Sequence, residues 1–384
     1  MPWKETCLMD EKIKFIAMVK SDIYSFASTC RQFDISRKTG YELLARYEAE
    51  GEMALVARSR APHSHPNAIS EALARKLLDI KATHVRFGPR KTRDYLVNLG
   101  YRGAVPAAST IGELYKRHGL VRPRAKRRAR SAPSSEPLRH ASAPNIVWSA
   151  DFKGHFRMRN GRWCYPLTLS DNASRYLLVC QGLAHPTAAA VWPHFERAFR
   201  HYGLPAALRT DNGAPFASTA LGGLTRLSVW LLKLGIALER IAPGRPDQNG
   251  RHERMHRTLK DHIDPPQRNL AAQQDDLERF QRHYNEERPH EALGGVPPAR
   301  KYRTSTRAYP SRVKPPEYDS HIEVRRVRTN GQIKWHGKRV FVSEALIGEP
   351  VGLRQIDESC WQLLFCAMPL GVINERMGTI ERLG

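Results

Sequence analysis

Three acidic residues stand where the chain could bring carboxylates together. Asp151 ends a strand-like segment, and Asp211, with 59 residues between them, directly follows another at 207–210. Glu253 lies near the start of a helical segment that opens at Arg251. Two carboxylates held close together repel each other and require a divalent cation or a proton. With a third carboxylate from a helix over the sheet, the cluster could hold two Mg²⁺ ions and catalyse in-line displacement at phosphorus.

A second motif overlaps the third acidic residue. The run from His252 to His256 reads H-E-x-x-H, which in zinc proteases places two histidine ligands on one helix face beside a glutamate general base. A protease helix of this kind is largely buried, whereas basic residues surround this motif. They are Arg251, Arg254 and Arg257. We therefore disfavour a metalloprotease and expect no zinc cofactor.

Two further aspartates compete for a role in the site. Asp171 falls where the chain turns between two strand-like segments, so we expect it to be structural. Asp247 falls in the Pro/Gly-containing loop that precedes Glu253, and we expect it to be solvated.

The elements that position these residues form an α/β pattern. Three successive strand-like segments begin at Asn145 and are followed by a helix over Thr187–Tyr202. A fourth strand leads into Asp211, and helical residues over Thr219–Leu234 precede the apolar extended segment Ile236–Ile241. This order predicts a mixed sheet with helices on its faces, and it makes the first and fourth strands neighbours.

The flanking regions differ from this pattern. A short helix, a turn with Ser36 as cap and a longer helix predict an N-terminal helix-turn-helix, whose basic residues Arg37, Lys38 and Arg46 we expect to contact DNA. A second helical module follows, including a helix over Ser109–His118 with Ser109 as its cap. The C-terminal region has short strands and Asn-Gly or His-Gly turns, which predict a small β-barrel.

The resulting domain map has six parts. They are a helix-turn-helix module (1–60), a second helix-turn-helix-like module (61–121), a basic linker (122–144), the α/β core (145–302), a linker (303–320) and the β-barrel domain (321–384).

Composition points to a polyanionic partner. The 384 residues include 62 Lys and Arg against 38 Asp and Glu, a net charge of +24, and nucleic acid is the usual partner of such a chain. The basic linker concentrates this charge in Arg122, Arg124, Lys126, Arg127, Arg128 and Arg130. No segment is apolar enough to span a membrane. The six cysteines form no CxxC pair, so reduced thiols in the cytoplasm are expected.

Three motifs carry a family resemblance. The stretches W-S-A-D151-F, T-D211-N-G-A-P-F and P-D-Q-N-G-R-H-E253 closely resemble the signatures of transposases and integrases with the retroviral-integrase catalytic core. The segment Y-N-E-E-R-P-H-E-A-L, which starts at Tyr284, resembles the end of that core in bacterial insertion-sequence transposases. The resemblance implies an RNase H-like fold and an Asp151, Asp211, Glu253 triad.

The same resemblance suggests DNA contacts near the triad. Gln248 and Asn249 belong to the third motif, and Lys260 follows Glu253 by seven residues on the same helix face, where the family often has a basic residue. One departure is that the 41 residues between Asp211 and Glu253 exceed the usual spacing. The extra length falls in 220–234, which we interpret as a helical insertion.

The sequence therefore predicts a DNA transposase. It would bind the terminal inverted repeats of an insertion sequence, nick the 3′ ends and join them to target DNA with Mg²⁺, for which Mn²⁺ can substitute. We expect a homo-oligomer on DNA, in the bacterial cytoplasm at the nucleoid. Two alternatives remain: a non-catalytic DNA-binding regulator and a ribonuclease of the same fold. Metal-dependent DNA cleavage would distinguish the transposase from the regulator, and strand transfer would distinguish it from the ribonuclease.

Overall fold

The chain forms two compact units, Met1–Ser70 and Glu71–Gly384. The computed structural model describes residues 8–56, 68–121, 138–242, 246–374 and 379–382. The domain boundaries drawn from the sequence are finer than this division and remain a prediction. Among the described residues, no helix has both the length and the apolarity to cross a lipid bilayer.

The first unit contains three helices around a small apolar core. The helices are α1 (Leu8–Lys20), α2 (Phe26–Gln32) and α3 (Arg37–Glu50). The Ser36 hydroxyl accepts a hydrogen bond from the Thr39 amide at 3.1 Å, so the predicted cap is confirmed. Gly40 of α3 lies against Cys30, where an added Cβ would come within 2.8 Å of the sulfur. The absence of a side chain therefore lets α2 and α3 pack closely.

The second unit begins with three more helices. They are α4 (Glu71–Thr83), α5 (Pro89–Asn98) and α6 (Ala108–Arg117). Leu77, Leu96 and Ile111 are fully buried between them. The predicted Ser109 cap is wrong, because α6 begins one residue earlier and Ala107, which has no capping side chain, stands at its N-cap.

A mixed sheet forms the centre of the second unit. Its strands are β1 (Val147–Phe152), β2 (Phe156–Arg157), β3 (Trp163–Asp171), β4 (Leu177–Leu183), β5 (Ala207–Thr210) and β6 (Ala237–Arg240). The main order is β4-β3-β1-β5-β6, and β2 pairs with the start of β3. The pairs β4–β3 and β3–β1 are antiparallel, whereas β1–β5 and β5–β6 are parallel. The predicted mixed sheet is present, and its first and fourth long strands, β1 and β5, are neighbours as predicted.

Helices cover both faces of this sheet. They are α7 (Ala188–Tyr202), α8 (Arg226–Lys233), α9 (Gly250–Ile263) and α10 (Leu270–Arg282). Residues of α7 and α8 belong to one apolar cluster, and residues of α9 and α10 belong to another. Strand β4 contributes Leu178 to the first cluster and Leu177 to the second, as expected when successive side chains point to opposite faces.

The C-terminal region is built from short antiparallel strands. They are β7 (Glu323–Arg326), β8 (Gln332–Trp335), β9 (Lys338–Phe341), β10 (Pro350–Gln355), β11 (Cys360–Phe365), β12 (Met368–Asn374) and β13 (Thr379–Arg382). Five form a sheet in the order β13-β12-β11-β10-β7, and β8 and β9 form a separate hairpin. The predicted barrel is not confirmed, because among the described residues no hydrogen-bonded ladder joins the two edges of the five-stranded sheet.

The segment predicted as a helical insertion is only partly helical. A short 3₁₀ turn at Leu221–Gly223 precedes α8, which begins at Arg226. The helix prediction over the first half of this segment was wrong because Gly222 and Gly223 adopt φ of 62° and 64°. Positive φ values of this kind are incompatible with a continuing right-handed helix.

This insertion supports the C-terminal strands. Leu221, Leu224 and Val229 belong to the same apolar cluster as Leu353 of β10 and other C-terminal residues. An ion pair of 2.6 Å also joins Lys233 to Glu349, with both side chains mostly buried. The additional residues between Asp211 and Glu253 therefore form the platform on which the C-terminal sheet packs.

Candidate active site

Two parallel strands bring the first two acidic residues together. Val147 lies opposite Ala207 and Ser149 lies opposite Arg209 in the β1–β5 ladder. The same register places Asp151 level with Asp211, at the carboxyl ends of both strands. Since neighbouring strands are ~4.8 Å apart, the two backbones hold the carboxylates side by side.

The loop after β5 fixes Asp211. Its Oδ1 accepts a hydrogen bond from the Gly213 amide at 3.2 Å. The Nδ2 of Asn212 donates to the carbonyl of Ile241 at 2.7 Å, which ties the loop to the end of β6. Any Cβ at position 213 would lie 3.0 Å from Asp211 Oδ2. Glycine therefore keeps space beside the carboxylate.

Helix α9 presents Glu253 from above the sheet. The helix buries His252, Met255 and His256, while Glu253 in the first turn remains exposed. The His256 Nδ1 atom lies 3.7 Å from Asp151 Oδ2. Because Glu253 is less than one turn before His256, the first turn of α9 lies beside the two aspartates.

A buried hydrogen-bond network attaches α9 to the sheet. Thr168, which lies opposite Asp151 in the β1–β3 ladder, has its hydroxyl 3.0 Å from the Asp151 carbonyl and 2.7 Å from Nε2 of both His252 and His256. The Thr168 hydroxyl donates its one proton to the Asp151 carbonyl, because a carbonyl oxygen can only accept. Both imidazoles therefore donate to the Thr168 oxygen through Nε2. The Ser170 hydroxyl then donates to His252 Nδ1 at 2.8 Å.

This network accounts for the H-E-x-x-H motif. Both imidazoles lie on the buried face of α9, and three of their four nitrogen atoms are hydrogen-bonded to hydroxyl groups. Burial lowers the pKa of His252 to about 3 and that of His256 to about 2. Both rings are therefore neutral near pH 7, and the 3.7 Å approach of His256 to Asp151 is a contact between a neutral ring and a carboxyl group.

The electrostatics of the site match a metal-binding carboxylate cluster. Burial first, then the charges of Asp211 and Glu253, raise the pKa of Asp151 to about 7, while Lys153 opposes this effect. Two neighbouring carboxylates make it harder for Asp151 to ionise. A divalent cation, which prefers clustered oxygen ligands, would stabilise the ionised form. The donor set of Asp151, Asp211 and Glu253 therefore fits divalent metal ions.

Comparison with known proteins identifies the family of this chain. Two models described as Integrase core domain match residues 141–246 and 234–298, and one described as Helix-turn-helix domain matches residues 11–63. The chain is 31% identical over 249 residues to the uncharacterized 39.2 kDa protein of insertion element IS476 from Xanthomonas euvesicatoria, covering 62% of this chain and 68% of that protein. The chain belongs to the insertion-sequence transposases with an integrase-type core.

Other members and viral proteins are also similar to this transposase-family chain. The uncharacterized 31.7 kDa protein of insertion element IS407 from Burkholderia multivorans is 30% identical over 239 residues, which cover 61% of this chain and 82% of that protein. The Gag-Pol polyprotein of Rous sarcoma virus is 35% identical over 120 residues, or 31% of this chain and 7% of the polyprotein. The family predicted from the motifs is thus confirmed, and its helix-turn-helix and integrase domains make DNA the partner.

The structure separates the predicted DNA-contacting residues. Arg37 and Lys38 are exposed at the start of α3, and Lys260 is exposed on α9. Their contacts with DNA remain a prediction. The Nη2 atom of Arg46 donates to the Ala54 carbonyl at 2.6 Å, and its contact with DNA also remains a prediction. All six basic linker residues, between Arg122 and Arg130, lie outside the described residues.

Two other predicted contacts contribute to the loop before α9. The Oε1 of Gln248 accepts from the Ala242 amide at 2.7 Å, and Asn249 is buried. Both amides therefore contribute to packing inside the protein, and the DNA contact predicted for them from the motif remains a prediction.

The structure describes the side chain of only one of the two competing aspartates. Asp171 is buried and accepts hydrogen bonds from the amides of Asn145, Ala173 and Ser174 and from the Ser174 hydroxyl. Its predicted structural role is confirmed. The side chain of Asp247 lies outside the described residues.

Sequence reasoning missed three residues of the site. Thr168 and Ser170 alternate along β3 and bind the imidazoles of α9, but they are 82 or more positions away from those histidines. Lys153 follows Asp151 by two residues and acts on its pKa. The spacing of two, which places side chains on one side of an extended segment, was the available signal for Lys153.

Proposed function

We propose that this chain is a DNA transposase that binds the terminal inverted repeats of an insertion sequence, nicks the 3′ ends and joins them to target DNA. One observation carries the assignment of residues. The β1–β5 register sets Asp151 level with Asp211, and α9, attached through Thr168, brings Glu253 to them. Family membership supports polynucleotidyl transfer in general, and this geometry supports these three carboxylates as its metal ligands.

The chemistry consists of two displacements at phosphorus. Two Mg²⁺ ions, or Mn²⁺ in their place, would stabilise the attacking and leaving oxygens when bound to the triad. A water oxygen first attacks the phosphorus at the element end, one P–O bond replaces another, and a 3′-hydroxyl is released. That 3′ oxygen then attacks a target phosphorus, and the leaving oxygen is released as the new target end takes up a proton. Each step exchanges one P–O bond for another, so no covalent protein intermediate is needed.

Basic side chains around the triad would hold the DNA backbone. Lys260 and Arg257 are exposed on α9 at spacings of seven and four residues from Glu253, which place all three on one helix side. Lys153 lies near Asp151. Phosphate contacts of this kind position DNA without reading its sequence. We assign sequence recognition to the helix-turn-helix domain, with Arg37 and Lys38 at the start of its second helix.

The triad can be tested with Asp211→Asn, a nearly isosteric change that removes one negative charge. We expect the variant to fold and to bind element ends in a gel shift, but to lose at least about a hundredfold in Mg²⁺-dependent cleavage. Asp275→Asn, on the exposed side of α10, is the matched control and should cleave normally. Cleavage by Asp211→Asn within tenfold of the wild type would refute the triad.

The same assay distinguishes the alternatives. A non-catalytic regulator would bind the ends but would not cleave them with either cation. A ribonuclease would cut the RNA strand of a hybrid and would form no joined product with target DNA. Since two element ends are joined in one event, we also expect a homo-oligomer on DNA, acting on the bacterial chromosome in the cytoplasm.

A further inference from the structure

Three metal-ligating side chains meet far from the carboxylate triad. His84 lies in the turn after α4, and His283 and Glu287 lie in the π-helical turn that follows α10. One ligand atom from each residue lies within 4.8 Å of the others. The sequence separation between the two histidines is 199 residues, so only the fold brings them together.

The cluster is already close to a coordination geometry. His283 Nδ1 is 3.2 Å from Glu287 Oε2, which is the separation of two ligand atoms on one zinc ion with bonds of ~2.0–2.1 Å. The rings of His84 and His283 have centroids 4.8 Å apart and an interplanar angle of 13°. Two ligand atoms on one zinc ion lie at most ~4.2 Å apart, so ligand atoms within 4.8 Å of one another need only a small side-chain adjustment to share an ion.

The surrounding residues restrict these side chains. His84 also stacks on Phe87, with ring centroids 4.5 Å apart, and the Tyr95 hydroxyl donates to Glu287 Oε2 at 3.4 Å. Burial is the main cause that lowers the pKa of both His84 and His283, so the rings are neutral near pH 7. Neutral imidazole is the form that binds a metal ion.

We propose that His84, His283 and Glu287 form a binding site for Zn²⁺ or a similar borderline transition metal, with water as the fourth ligand. Two imidazoles and one carboxylate are a known zinc donor set, whereas Mg²⁺ prefers oxygen ligands. The positive charge of Arg288 opposes binding of a cation near His283, and the negative charge of Glu287 offsets it. This site is separate from the triad and does not depend on the proposed transposition chemistry.

The site would fasten the second helical module to the core. His84 belongs to the α4–α6 module, and His283 and Glu287 belong to the end of α10. Protein contacts already cross this junction, including an Arg86–Asp261 ion pair of 2.5 Å and a hydrogen bond of 2.9 Å from Asn98 Nδ2 to the Gly295 carbonyl. A metal bridging both sides would stabilise an interface that exists without it.

The test uses tag-free, full-length protein stripped with a chelator and titrated with Zn²⁺, or with Co²⁺ as a spectroscopic substitute, in excess Mg²⁺. We expect about one tightly bound ion per chain, a Co²⁺ visible spectrum typical of nitrogen and oxygen ligands, and a higher thermal midpoint with Zn²⁺. His84→Phe keeps a flat ring against Phe87 but removes the ligand nitrogen. It should weaken Zn²⁺ binding at least about tenfold.

Three further variants make the result decisive. His283→Gln should also lose the site, whereas His201→Ala, at an exposed histidine of α7, should bind Zn²⁺ like the wild type. Asp211→Asn should retain Zn²⁺, which shows that the ion is not in the triad and separates this proposal from the transposase one. The absence of tight Zn²⁺ binding, or equal binding by wild type, His84→Phe and His283→Gln, would overturn the proposal.

Discussion

Replacing Asp151 with Asn should stabilise the metal-free protein at alkaline pH while ending its catalysis. The pKa of Asp151 is raised from 3.8 to about 7 by burial and by the charges of Asp211 and Glu253. At ~1.36 kcal/mol per pKa unit, the ionised carboxylate destabilises the folded state by about 4 kcal/mol. A quarter of the side chain is exposed, and screening by solvent reduces the expected gain to ~2–4 kcal/mol.

The pH dependence of this gain follows from linkage. Below pH 4 the carboxyl is protonated in both states and contributes no difference. Between about pH 4 and 7 the unfolded chain loses the proton while the folded chain retains it, so the wild type becomes less stable as pH rises. Above pH 7 both states are ionised and the full penalty applies. The advantage of Asp151→Asn should therefore increase from pH 5 to 7.5 and then remain constant.

Calorimetry of the full chain in EDTA at pH 5 and pH 8.5 measures this effect. The transition that includes the core should shift upward by several degrees in Asp151→Asn at pH 8.5 and by clearly less at pH 5. Asp275→Asn, at an exposed position, controls for loss of one negative charge. Added Mg²⁺ should stabilise the wild type at pH 8.5 but not Asp151→Asn. An equal shift at both pH values, or a destabilised variant at pH 8.5, would refute the strained carboxylate cluster.

Three other changes test separate parts of the structure. Replacing both His252 and His256 with Ala should lower thermal stability but leave measurable Mg²⁺-dependent cleavage in a gel assay, whereas Glu253→Gln should abolish cleavage. Loss of cleavage together with loss of bound zinc in the double histidine variant would contradict this expectation. Deleting residues 1–70 should remove the preference for element ends in competition gel shifts but retain salt-sensitive binding to random duplex. Leu224 is 1% exposed beneath the C-terminal sheet, and Leu224→Ala should lower the free energy of unfolding by ~2–5 kcal/mol. Chemical denaturation measures this loss, and an unchanged midpoint would contradict the packing of the C-terminal sheet on Leu224.

The deletion endpoint follows from the structure rather than from the sequence. The sequence predicts two helical modules, 1–60 and 61–121, and does not show that the second one packs on the core. The contacts of His84 and Arg86 with the core show that α4–α6 belong to the second compact unit. Deleting this module would remove the partners of His283 and Asp261 in the core, so loss of recognition could not be separated from damage to the core. The unit boundary at Ser70 avoids this problem.

Local patterns predicted the elements that hold the candidate triad. The strand-like segments at Asp151 and before Asp211 contain alternating or clustered apolar residues. The order of elements along the chain predicted that these two strands are neighbours. The ladder has that pairing. The helix predicted from residue propensity was wrong at Gly222 and Gly223. The backbone freedom of glycine allows a turn there within an otherwise helical composition. Sequence also gave no sign that Arg46 donates to the Ala54 carbonyl eight residues later, because a basic residue on a helix surface does not reveal its acceptor.

Contacts distant in sequence could not be predicted in this way. The Thr168 hydroxyl meets both imidazoles only because α9 crosses β3, and the His84–His283 pair depends on the junction of two modules. No local periodicity encodes either contact. The barrel prediction is not confirmed, and local sequence could not decide it for a similar reason. Short strands and tight turns are common to barrels and open sheets, and the difference lies in whether two distant edges pair.

The H-E-x-x-H sequence shows how one spacing can serve two different chemistries. In a helix, residues four apart share a face, so His252 and His256 both point to the sheet and bind the hydroxyls of Thr168 and Ser170. Glu253 follows His252 directly and turns away from that face. In a zinc protease the paired imidazoles would bind the metal, whereas here they attach the helix and leave the glutamate facing the aspartates. In the proposed triad the motif would therefore position the third carboxylate, and its histidines matter because they are neutral, buried and hydrogen-bonded.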